Sequence, residues 1–124
     1  MEKTDPAEVR EALLAVRDWV DGDGERPSRA AVAEACRLSI ALLGEDAPGH
    51  SVEVRVPPFG VAQCVAGPRH TRGTPPNVIE LDAATWLALA TGEVRWAEAR
   101  ASGSVAASGL RADLSEHLPL FGTL

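Results

Sequence analysis

Basic residues are scarce in this 124-residue chain: 12 Lys and Arg stand against 18 Asp and Glu, for a formal net charge of −6. Binding to phosphate backbones needs a basic footprint, so nucleic acid is excluded as the main partner. Cysteine is scarcer still. Cys36 and Cys64 alone cannot build a disulfide framework and suit a reducing compartment. No apolar run approaches the roughly 20 residues that cross a bilayer, so an integral membrane protein is not expected. The opening residues MEKTDPAEVREALLAV lack the basic-then-apolar order of a secretion signal. These absences predict a soluble, cytoplasmic domain.

Cofactor signatures are missing too. His50, His70 and His117 lack the short spacings of a zinc motif. Ser39, Ser102 and Ser115 sit in no Gly-x-Ser-x-Gly setting, which leaves a hydrolase triad without an anchor. No glycine-rich loop follows a strand, so neither ATP nor NAD is expected. Cys64 and His70 invite a nucleophile and base reading, but that needs a depressed thiol pKa and hydrogen-bond reach, which sequence does not supply.

What is present is 45% apolar residues in a chain the size of one domain. Asp5-Pro6-Ala7-Glu8 opens a helix with a cap, a proline at the first position and a capping-box glutamate. Val9, Ala12, Leu13, Val16 and Val20 then share one face until Asp21-Gly22. Ser28 caps a second helix striped by Val32, Ala35, Cys36, Ser39, Ile40 and Leu43, with Gly44 as its stop. The period then changes. Val52, Val54 and Val56 alternate with Glu53 and Arg55 as in a half-buried strand, and residues 61–66 form its hairpin partner after Pro57-Pro58-Phe59-Gly60. A third strand spans 77–81.

Asp82 caps a short helix carrying Trp86 and Leu87, stopped by Gly92. Another brief helix runs from Trp96 to Ala101, followed by a fourth strand at 104–108. Leu110, Leu114 and Leu118 then recur at four-residue steps, which predicts a terminal amphipathic helix ended by Pro119. Alternation of Leu110, Ala112 and Leu114 would also allow a strand. The expected fold class is α+β, ordered α-α-β-β-β-α-α-β-α. It has a four- to five-stranded, mainly antiparallel sheet with helices on one face. One domain covers 1–124, with 1–27 a helical extension and 28–124 the core.

Charge is unevenly spread. Residues 1–50 carry a net −5 and 77–124 a net −3, whereas 51–76 carry +2. Arg69, His70 and Arg72 crowd between Gly67-Pro68 and Gly73-Thr74-Pro75-Pro76. Two readings stand. The stretch is a solvated turn whose arginines pair weakly with surface carboxylates, or an anion clamp of guanidinium groups on a stiff loop.

The run DAATWLALATGEVRWAEARASGSVAASGLRADLSEHLPL, residues 82–120, resembles the C-terminal half of the sterol carrier protein type 2 fold. The likeness lies in the spacing of Thr91-Gly92, Ser102-Gly103, Gly109 and the leucine repeat with Trp86 and Trp96. VRVPPFGVAQCVAGPRHTRGTPPNVIELD is similar to the bacterial, mainly actinobacterial, branch. The resemblance implies an apolar tunnel between sheet and helices that holds an acyl chain or sterol, partly covered by the terminal helix. Carried over, its lining is Trp86, Leu87, Val105, Leu110, Leu114, Leu118 and Phe121. The partner is then an apolar small molecule or lipid, with Arg69, His70 and Arg72 available to an anionic head group. For any single leucine, plain core packing demands the same residue type. Ala84, Ala88, Ala90, Ala106, Ala107 and Ala112 leave room for a guest. Burying about eight methylenes would yield roughly 6 kcal/mol of gross transfer energy at ~0.8 per CH₂.

Two other readings compete. Mycothiol-dependent isomerases of the maleylpyruvate type carry a similar C-terminal domain beside a metal-bearing helical one. The present chain lacks that second domain and would act only with a partner. Alternatively, its apolar groove receives a partner protein's helix.

Overall fold

The computed structural model describes residues 3–67, 77–122 and 124. Helix α1, Pro6–Val20, starts where Asp5 accepts a hydrogen bond from the Ala7 amide at 2.9 Å. Helix α2, Arg29–Asp46, starts where Ser28 accepts from Ala31 at 3.1 Å. Both starts fall where the sequence places them. The end of α2 does not. The helix passes through Gly44, which lies against the following strand pair at a distance where a Cβ would make only ordinary contact, 3.5 Å from the Gln63 carbonyl oxygen. The chain leaves the helix at Ala47, just ahead of Pro48 and Gly49.

Strands β1, Val52–Val56, and β2, Gly60–Cys64, form the expected antiparallel hairpin with Val54 opposite Ala62. The second strand stops at Cys64, short of the expected Ala66, because Val65 turns into the left-handed region at φ 65°. A β-branched residue pays for that conformation. Val65 is held there by hydrogen bonds from its amide to the Ala47 carbonyl at 2.7 Å and to its own carbonyl from the Ser51 amide at 3.1 Å. Strand β3, Val78–Glu80, runs parallel to β1, and β4, Ala106–Ser108, returns antiparallel to β3. The order is β2-β1-β3-β4. Two of its three pairings are antiparallel, as expected, while the central one is not.

Helices α3, Ala83–Thr91, and α4, Trp96–Ala101, connect β3 to β4. Asp82 caps α3 by accepting from Thr85 at 2.8 Å, and Gly92 ends it at φ 87°. Six of the nine residues of α3 are buried, Trp86 and Leu87 among them, while Ala84 is exposed. The helix packs against α1 and α2, and α2 in turn covers β2. Val52, Val54, Val56, Cys64 and Ile79 point inward and are fully buried. Glu53, Arg55, Gln63 and Glu80 alternate with them on the outer face. The architecture is α+β with helices over one face of the sheet.

The predicted terminal helix is absent. Residues 109–122 form consecutive turns. Asp113 accepts from the Ser115 amide at 2.8 Å, and Asn77 accepts from the Arg111 amide at 2.8 Å. Such side-chain bonds offer the backbone an alternative to a helix. The stretch between Gly109 and Pro119 is also shorter than the ~12 residues at which a helix becomes self-supporting.

Candidate ligand-binding site

The candidate site forms where the end of α3 meets the C-terminal turns. Gly92 reverses the chain, and the Val94 amide bonds back to the Ala88 carbonyl at 3.2 Å. That bond sets Val94 and the start of α4 beside the end of α3. The Leu120 amide donates to the Ala90 carbonyl at 3.1 Å, pinning the C-terminal segment to the same helix end. Pro119 packs so close to Gly92 that a Cβ there would touch its ring carbons at 3.4 Å. Between these attachments lies a cleft of about 390 Å³. Gly92, Val94, Trp96 and Ala97 form one wall, Ser115, Leu118 and Pro119 the other, and Arg95 stands at the rim.

A second cleft of about 390 Å³ opens on the other side of Val94. Its floor is Ala84, Ala88 and Ala99, and its rim is Thr85, Glu98, Ser102 and Ser104. Of the small α3 side chains singled out in the sequence as room for a guest, Ala84 and Ala88 border this open space, while Ala90 is buried in the core. A third hollow, between α1 and α2, is edged by Glu8, Glu11 and Glu34.

The residues named from sequence separate into distinct places. Trp86, Leu87 and Leu114 are wholly buried and belong to the packed core, as does Val105. The Trp86 indole N–H donates to Ser39 Oγ at 2.8 Å, and that hydroxyl donates onward to the Ala35 carbonyl. Leu118 lines the cleft, and Phe121 packs half-buried nearby in sequence. Leu110 is fully exposed and touches no part of this cluster. Arg69, His70 and Arg72 lie outside the described residues. Asn77 is buried, donates to the Ser51 carbonyl at 2.7 Å and accepts from the Arg111 amide. A Cβ on Gly67 would meet Ser51 at 2.9 Å and the Arg111 guanidinium at 3.3 Å.

Sequence reasoning missed Val94, Arg95, Ala97 and Pro119 as wall residues. Gly92 and Pro119 were legible only as punctuation. Their meeting in space, which makes the wall, has no signal in either segment alone.

Local electrostatics are simple. Burial pushes the Cys36 thiol up to about 12 and the Cys64 thiol up to about 11, so both stay protonated near neutrality. A buried, protonated thiol is a poor nucleophile; His70, the base in the Cys64 reading, lies outside the described residues. A hydrogen bond with Asp21, reinforced by the charges of Asp21 and Asp23, holds the Glu93 carboxyl above its usual range. The Ser115 amide holds Asp113 below its own. No group of three metal-ligating side chains is found among the described residues, and no helix there is long and apolar enough to cross a membrane.

A mixed sheet roofed on one face by helices, with apolar clefts around a short fourth helix, defines a small α+β domain. The chain belongs to the family described as bacterial SCP ortholog, whose model matches residues 28–120. The match runs from the cap of α2 to the residue that pins the C-terminal segment. No curated protein matches the chain.

Proposed function

We propose that this protein is a non-enzymatic carrier that holds an apolar small molecule, an acyl-lipid or sterol-like ligand, between the α3–α4 turn and the C-terminal segment. The observation that carries this reading is the apolar cleft at Val94, Trp96 and Leu118 in a member of a carrier family. Its volume of about 390 Å³ lies within the ~300–1,000 Å³ typical of small-molecule sites. The wall formed by residues 115–119 has no regular secondary structure. It is anchored by buried Leu114 on one side and the Leu120–Ala90 hydrogen bond on the other. A longer hydrocarbon gains room by lifting that wall, with Leu118 and Phe121 exchanging part of their packing against the core for contact with the guest. Trp86, Leu87, Val105 and Leu114 then serve as the apolar layer beneath it.

Native mass spectrometry of the protein as purified from bacteria, followed by titration with a fluorescent fatty-acyl probe and a fluorescent sterol, tests the reading. A carrier shows co-purified lipid mass or saturable uptake of one probe, and Leu118→Asp weakens that uptake at least tenfold while the fold persists. A ligand-free protein that takes up neither probe is not a carrier.

A further inference from the structure

Three charged residues lie close together on the segment that forms the cleft wall: Glu93, Arg95 and Glu98. The structure sends them to different places. Glu93 is engaged with Asp21, across the turn that follows α1. Glu98 faces the neighbouring hollow, and its carboxylate lies 3.4 Å from the Arg95 backbone amide. Arg95 alone of the three lines the cleft. Its side chain is exposed and makes no ion pair among the described residues. Among the described residues, that guanidinium beside Trp96 and Leu118 is therefore the one charge the apolar cleft offers a ligand, and it is positive in a chain of net charge −6.

From this we infer that Arg95 is a specificity-determining residue: it selects cargo whose apolar chain ends in an anionic oxygen group, carboxylate or phosphate, over the same chain with a neutral end. The inference rests on the carrier reading above. The guanidinium fork matches either anion in bidentate fashion. A neutral alcohol offers it one weak acceptor. Because Arg95 is exposed, its effect is modest, about fivefold in affinity and reduced by salt. Selection and affinity thus come from different atoms. The apolar walls hold any chain of suitable length, and Arg95 ranks the chains by their ends.

Calorimetric titration of the full chain with dodecanoate, dodecyl phosphate and dodecan-1-ol, with the Trp96 indole resonance as a local reporter, tests the assignment. The unmodified protein should bind one or both anions about fivefold more tightly than the alcohol. Arg95→Gln should abolish that preference without changing alcohol affinity, and Arg95→Lys should restore part of it. Arg100→Gln removes a cation from the same helix but outside the cleft, and should leave the preference intact. The assignment is overturned if Arg95→Gln weakens all three ligands equally or none, or if the preference vanishes in Arg69→Gln/Arg72→Gln and survives in Arg95→Gln. Binding with Arg95-independent affinities overturns this inference and leaves the carrier reading standing. Failure of all three ligands to bind or to shift Trp96 overturns this inference, and the carrier reading falls with it only if the sterol probe and co-purified lipid are absent as well.

Discussion

Cys36 and Cys64 show how burial decides the chemistry of a residue. Each lies on an apolar stripe, Cys36 in α2 and Cys64 at the end of β2, with no exposed surface. Their thiols ionise at about 12 and about 11 in the folded chain, against about 8.5 in an unfolded one. Between pH 8.5 and those values the folded state binds more protons than the unfolded state, so stability must fall as pH rises. The contribution is complete below pH 8.5 and is lost progressively through pH 11 to 12. Urea denaturation at pH 7, 9 and 10 should show declining midpoints, and a Cys36→Ala/Cys64→Ala chain should decline less. Equal slopes for the two chains would mean that the thiols do not titrate with folding. Other residues were less legible. Leu110 and Leu114 look alike in the sequence, yet one is fully exposed and the other fully buried. Asn77 reads as the first residue of the third strand, but its side chain joins Ser51, 26 positions before it, to Arg111, 34 positions after it. A polar side chain that ties distant segments leaves no periodic trace.

At the scale of elements, local chemistry was readable wherever it acted locally. Asp5, Ser28 and Asp82 cap the helices they were expected to cap. The alternation of Val52, Val54 and Val56 does mark a strand buried on one face. The misread ends are those that tertiary contacts decide. Terminal leucine spacing suits a helix, but Asn77 and Asp113 take the amides differently. The parallel pairing of β3 with β1 leaves no mark in the hydrophobic pattern of either strand. Gly44 is the most instructive case. Read as a helix stop, it is instead an interior helical residue where a Cβ would meet only ordinary contacts, 3.5 Å from the Gln63 carbonyl oxygen and 3.8 Å from Ala62 Cβ. Glycine within a helix costs about 0.5–1 kcal/mol relative to alanine. Gly44→Ala should therefore raise stability by about that amount in urea denaturation. A clear loss would show that the helix and strand cannot move apart by the few tenths of an ångström that an imperfect fit demands.

For the molecule as a whole, the family match and the physical domain have different borders. The match begins at residue 28, which leaves α1 outside it. Yet Val9, Leu13 and Val16 of that helix are fully buried, and α1 packs on both α2 and α3. Thr4 adds hydrogen bonds from its amide and hydroxyl to the Glu45 carboxylate. Burying three such side chains is worth about 1.5–3 kcal/mol each, or roughly 5–9 kcal/mol gross. That is comparable to the whole stability of an ordinary domain, about 5–15 kcal/mol. Part of the gain offsets the ordering of fifteen helical residues, so the net loss on removing α1 is smaller than the gross figure. Its removal also strips cover from α3, against which it packs. A chain beginning at Ser28 should therefore lose its cooperative unfolding transition at 25 °C. Within the full chain, Leu13→Ala should cost about 2–5 kcal/mol, while Leu14→Ala, at a position 44% exposed, should stay within about 0.5 kcal/mol. Thermal and urea melts of the three chains decide the matter. A trimmed chain that melts cooperatively at the same temperature would show α1 to be an appendage, and the apolar cleft would then have to be explained by the matched region alone.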